Sequence, residues 1–254
     1  MDAIIAYLTQ KLKNTFYSHP PSSALILWWP TSSLDQQGTF ISRKMDAPPH
    51  PLEDCLRETL RASLVLYSYD SEKDLLRFDI EGKMLEGRWD DPFLEKEVAA
   101  ELGIPYHPGG TGKPPNDLQQ VRDLFHVWSR KAFAGIKKTD VDLVLLSDKN
   151  DARVLVEVKR SAKKKVGEWI PYPIDPYDGL AYFARTWGAK LVTVHHEIIG
   201  GGHAEKPSPE NILVDVFAYD PRSPFDFASF ACENNRRVTT LDELVVELKS
   251  LLEQ

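Results

Sequence analysis

The chain has 254 residues, 42% of them hydrophobic and 27% charged, with a formal net charge of −7. That length can bury a large core without disulfides or metals, and no apolar run approaches the roughly 18 residues that span a bilayer. The opening MDAIIAYLTQKLKN carries an acid and turns amphipathic within one helical turn, unlike a secretory signal. Cys55 and Cys232, far apart and without metal-ligand spacing, read as buried reduced thiols, so the expected compartment is the cytoplasm.

In chain order, residues 2–16 place Ile4, Ile5, Leu8, Leu12 and Phe16 at helical spacing. The segments 23–30, 38–44, 63–70 and 75–82 are β-branched, aromatic or alternating and end in turn residues, as strands do. Between them, 51–62 starts on a proline and repeats Leu52, Cys55, Leu56 and Leu60, an amphipathic helix. DPFLEKEVAAELG (91–103) is a helix with a C-terminal glycine. On its wheel Glu97 falls between Phe93 and Leu94 while Glu95 points away. The loop 107–117 contains GGTGK, but a phosphate-binding loop needs a glycine where His107 stands and a Ser or Thr where Pro114 stands. A helix over 117–133 follows, in which Trp128 reads as a packing residue.

Next comes TDVDLVLLSDKNDARVLVEVKRS (139–161), two Val/Leu runs around a polar turn. Helix 175–188, strands 190–196 and 211–219, and a helix over 241–253 opened by a Thr240–Glu243 capping box complete the chain. His195, His196 and His203 invite a zinc reading, but no fourth ligand accompanies them, and adjacent histidines on a strand face opposite ways.

The average charge hides a local reversal. Residues 130–165 hold eleven basic and five acidic side chains, a segment of +6, which leaves −13 for the rest. A basic island on an acidic body can hold a polyanion at one face. Within it the two apolar runs carry charges that a buried strand should not: Asp140 and Asp142, then Glu157 and Lys159. Because side chains alternate along a strand, pairing the runs can gather Asp142, Glu157 and Lys159 on one face at one end of a sheet. Two close carboxylates need a cation between them to stay ionised. Hard oxygen donors with open positions suit Mg²⁺ or Mn²⁺, and an adjacent lysine can serve a water attacking phosphorus.

Asp142, fourteen intervening residues, then Glu157-Val158-Lys159 resembles the PD-(D/E)xK signature of the restriction-endonuclease-like nucleases, over roughly residues 91–220. The resemblance implies an α/β fold with an αβββαβ core, a mixed sheet flanked by helices. It would occupy residues 86–254, with an N-terminal α+β extension of unknown role over 1–85. It further implies that Asp142 and Glu157 ligate Mg²⁺, with Mn²⁺ as a substitute, that the Val158 carbonyl joins them, and that Lys159 serves the water. The proline of the signature is missing, since Val141 precedes Asp142 and Thr139 precedes Asp140; Asp142 is preferred to Asp140 because an acid leading directly into Leu143–Leu146 is the commoner arrangement in the family. Many members carry a further acid on the preceding helix, for which Glu97 is the candidate and Glu101 an alternative. Arg160, Lys163, Lys164 and Lys165 would contact the phosphate backbone, and Trp169 could stack or pack. The expected function is therefore a Mg²⁺-dependent endonuclease acting on DNA, of the prokaryotic restriction or defence kind and, by family habit, a homodimer. The alternatives are a repair or recombination nuclease for branched DNA and a non-catalytic nucleic-acid-binding module of the same fold.

Overall fold

In a computed structural model, which describes residues 3–18, 23–33, 35–109, 124–147, 153–162, 175–198, 214–219, 235–238 and 240–253, contacts divide the chain into two units. One is Met1–Tyr17 with Val141–Gln254; the other is Ser18–Asp140. Both are mixed α/β, each with a six-stranded mixed sheet carrying helices.

The first unit begins with α1 (Ala3–Lys11) and β1 (Thr15–Tyr17). It resumes with β8 (Leu143–Leu146), β9 (Arg153–Ala162), α5 (Asp175–Trp187), β10 (Lys190–Ile198), β11 (Val214–Tyr219), β12 (Asn235–Val238) and α6 (Leu241–Glu253). The sheet runs β1-β8-β9-β10-β11-β12. The strands β1, β8 and β9 are antiparallel neighbours, β10 is parallel to β9, and β11 and β12 return antiparallel. Alternation gives the sheet two faces. On one, Leu143, Leu145, Val154, Val156, Val192 and Val194 pack with Ile4, Leu8 and Leu12 of the N-terminal segment and Leu244, Leu248 and Leu251 of α6. The opposite face buries Val144, Leu155 and Leu191, and α5, which contacts β10, buries Leu180, Ala181 and Ala184. Arg153 fastens the C-terminal end of α5: its Nη1 donates to the Trp187 carbonyl at 2.8 Å, and its guanidinium lies 5.0 Å from the Trp187 ring centre.

The second unit contains β2 (Ala24–Pro30), β3 (Gly38–Lys44), α2 (Glu53–Leu60), β4 (Ser63–Asp70), β5 (Leu75–Ile80), β6 (Lys83–Arg88), α3 (Pro92–Glu101), α4 (Leu124–Ala132) and β7 (Ile136–Asp140). Its sheet order is β6-β5-β4-β3-β2-β7. The core joins Ile26, Phe40, Val65 and Phe78 to Leu94 and Val98 of α3 and Phe125 and Trp128 of α4. Trp128 is fully buried and donates from Nε1 to the Trp89 carbonyl at 3.0 Å, a packing role as expected.

Several expectations change. A boundary near residue 85 does not match the contacts, because α3 and α4 belong to the sheet of residues 18–140. The N-terminal helix stops at Lys11; Asn14 takes a left-handed φ of 53°, and Phe16 becomes a strand residue opposite Val144. TDVDLVLL is not one strand: Asp140 ends β7 in one sheet and Leu143 begins β8 in the other. On α3 the buried face is Leu94, Glu95, Val98 and Ala99, with Phe93 69% exposed, so the wheel orientation that favoured Glu97 over Glu95 is corrected. The Tyr106 hydroxyl donates to the buried Glu95 Oε2 at 3.1 Å, which makes that burial tolerable. Cys55 is half-buried rather than buried. Cys232, the GGTGK loop beyond Gly109 and the 148–152 turn lie outside the described residues.

Candidate metal and catalytic site

The register of β8 on β9 pairs Val144 with Leu155 and Leu143 with Val156. The ladder ends at that pair, which leaves Asp142 and Glu157 as the next residue on either chain. The pairing of β9 with β10 sets Glu157 opposite Thr193. Asp142, Glu157 and Thr193 thus form one row on the α5 face, next to the apolar row Phe16, Val144, Leu155 and Leu191. Lys159 occupies the position two residues beyond Glu157, opposite His195.

The carboxylates differ in setting. Asp142 is half-buried, and its Oδ2 accepts the Val158 N–H at 2.7 Å. A backbone donor fixes the orientation of that carboxylate. Glu157 is only 4% exposed. An acid at that depth beside a second carboxylate needs compensation for its charge. Val158 reaches the site through its N–H, a contribution that its apolar side chain does not advertise in sequence. Val158 was expected to take part through its carbonyl, whereas Thr193, a fully buried polar residue between Val192 and Val194, is a member that sequence reasoning missed; its only signal was a hydroxyl residue inside an apolar run.

Asp140 pairs with Ile26 in the second unit's sheet. Glu97 also belongs to the second unit, where it lies 3.8 Å from Lys83 Nζ, which Glu101 contacts as well. The helix that precedes the strands of the first unit is α1, and it contains no acid between Ala3 and Lys11. The side chains of Lys159, Arg160, His195 and His196 are not among those described; the register sets His195 by Lys159 and His196 by Arg160, consecutive positions along the two strands. Lys163, Lys164, Lys165, Trp169 and His203 lie outside the described residues.

Chemically, the row offers hard oxygen donors at the end of an apolar strand pair. Among the described residues no group of three or more His, Cys, Asp or Glu side chains converges. The described donor set is therefore two neighbouring carboxylates, which fits Mg²⁺, an ion held through one or two carboxylates with water completing its sphere. No described helix is long and apolar enough to cross a membrane. In comparison with known proteins, no family model matches the sequence, and no curated protein and no solved structure matches it.

Proposed function

We propose that the chain is a Mg²⁺-dependent nuclease of the restriction-endonuclease-like kind, hydrolysing phosphodiester bonds in DNA. The observation that carries this reading is the row on the α5 face: Asp142 beside Glu157, the first held by a backbone N–H and the second buried. The element order of the first unit supports it. Read without residues 18–140, that order is α1, three antiparallel strands, α5, and a strand parallel to the third, which is the αβββαβ sequence of the family core. Mg²⁺ bound at this row would supply a Lewis acid for the phosphoryl oxygens and for water.

The residues divide the work by position. Asp142 and Glu157 hold the cation, with the Val158 N–H keeping Asp142 from turning away. Lys159, next along β9 on the same face, holds a proton at Nζ and orients the attacking water. The basic residues that follow, Arg160 and Lys163–Lys165, draw the phosphate backbone to this end of the sheet. The prokaryotic restriction or defence setting and the homodimer belong to the same proposal.

The test is incubation of the pure chain with plasmid, linear duplex, branched DNA and RNA, with and without Mg²⁺. Metal-dependent strand breakage that disappears in Asp142→Ala and Glu157→Ala, and falls by roughly 10²–10⁴-fold in Lys159→Ala, is the expected result. Folding of all three variants should match the parent by circular dichroism. Cleavage of branched DNA alone would move the assignment to repair, and binding without breakage on any substrate would leave a binding module. Full activity in all three variants would remove the site.

A further inference from the structure

Thr193 is fully buried, and its Oγ1 has no hydrogen-bond partner among the described residues. Its neighbours on β10, Val192 and Val194, face the core under α1 and α6. Thr193 therefore faces the α5 side, where the register makes it the neighbour of Glu157. Adjacent strands are about 4.8 Å apart, so in-register side chains on one face lie within reach of each other. Valine would fill the same space without leaving a hydroxyl to be satisfied, and valine stands on either side. A buried hydroxyl normally has a partner, and one without calls for a reason, of which a functional role is one. Complete burial also excludes contact with a macromolecular substrate.

We propose that Thr193 is a positioning residue of the carboxylate site: its hydroxyl donates to the Glu157 carboxylate when a divalent cation binds, fixing the orientation in which Glu157 meets the ion. The inference rests on the cation-binding reading above. It explains why an uncharged donor lies in the row with two acids. A hydrogen bond to one carboxylate oxygen restricts the rotation of the group, so the other oxygen is presented in one direction and the ligand is ordered before the ion arrives.

The experiment is equilibrium Mn²⁺ binding to the full chain without nucleic acid, read by the electron paramagnetic resonance of free Mn²⁺, for the parent, Asp142→Ala, Thr193→Val, Thr193→Ser and Thr193→Ala. Loss of an outer-shell hydrogen bond to a metal ligand weakens metal affinity by about 10–100-fold. Thr193→Val should show that loss while melting, without metal, no lower than the parent. Thr193→Ser, which keeps the hydroxyl, should restore binding to within a few-fold. A parallel rise in the Mg²⁺ concentration needed for half-maximal cleavage, with the rate at saturating Mg²⁺ little changed, is expected of positioning and not of packing. If Thr193→Val does not fold, Ser against Ala makes the same comparison, and equal affinities in those two overturn the proposal. Parent-like Mn²⁺ affinity in Thr193→Val, with uptake still abolished by Asp142→Ala, overturns Thr193 alone. A parent chain that takes up no Mn²⁺ overturns both this proposal and the cation reading.

Discussion

At the scale of single residues, the second unit shows two ways of meeting the cost of burying an ionisable group. In the second unit burial is matched locally: Arg43 Nε donates to Glu53 Oε2 at 3.0 Å with both side chains nearly inaccessible, and Glu95 accepts from Tyr106. His126 is handled by losing its charge. Burial first, then the Arg130 and Lys138 cations, push its pKa down to about 4, with Asp140 opposing. The folded chain therefore holds His126 neutral, whereas in the unfolded chain it titrates near 6.5. Between these values the unfolded state binds a proton that the folded state refuses, so stability falls as pH drops from 6.5 toward 4 and is level above. His126→Gln should lose less melting temperature than the parent between pH 7 and pH 4.5, measured under identical buffers. Parallel curves for the two proteins would show that His126 does not contribute to the acid loss. In the first unit the deepest described acid is Glu157, 4% exposed, and the nearby Asp142 carboxylate accepts the Val158 N–H at 2.7 Å.

At the scale of elements, legibility followed periodicity. The strands β2, β4, β8 and β9 were readable because four or more apolar or alternating positions repeat within each. That Asp142 and Glu157 flank one strand pair depends also on the register of β8 on β9, which ends at Leu143 and Val156. β1 was hidden because TFY is three residues long and owes its state to pairing with β8. β6 (KMLEGR) and β7 (IKKTD) were hidden because edge strands carry charge and lack a buried face on both sides. The failure on α3 is instructive: a helix wheel ranks residues by type, and Phe93 outranks Glu95, yet a glutamate with a tyrosine donor is buried while the phenylalanine is left in solvent. Helix α6 was legible to its cap. The Thr240 Oγ1 accepts the Glu243 N–H and Glu243 Oε2 accepts the Thr240 N–H, each at 3.1 Å. Thr240→Ala should cost about 1 kcal/mol by chemical denaturation, chiefly by fraying the first turn of α6, where Leu241 and Leu244 enter the core beneath β9 and β10. No change in the denaturation midpoint would mean that solvent replaces both cap bonds without loss.

At the scale of the whole molecule, the decisive feature is an insertion that composition does not mark. The chain leaves the first unit after Tyr17 and returns at Val141. Tyr17 and Leu143 are register partners on neighbouring antiparallel strands, so the two crossing points lie side by side in the first unit's sheet. In the second unit β2 and β7 are likewise antiparallel neighbours, with Ile26 opposite Asp140. Adjacent ends are what let one folded unit be carried within another, because the host then needs only a hairpin turn in its place. Every strand pairing of the first sheet is made within that unit, and so is its core under α1 and α6. Replacing residues 18–140 by a short Gly/Ser turn should therefore leave a chain that folds, with β1 and β8 joined as a direct hairpin. The checks are a cooperative melt, slow hydrogen exchange at β8 and β9, and Mn²⁺ uptake that still depends on Asp142 and Glu157. Residues 18–140, with their own aromatic core, should fold separately by the same measures. An excised chain that aggregates or melts without cooperativity would show that the inserted unit supplies part of the first unit's stability. One that folds but loses Asp142-dependent Mn²⁺ uptake would show that the return of the chain at Val141, one residue before the acid, sets the position of Asp142.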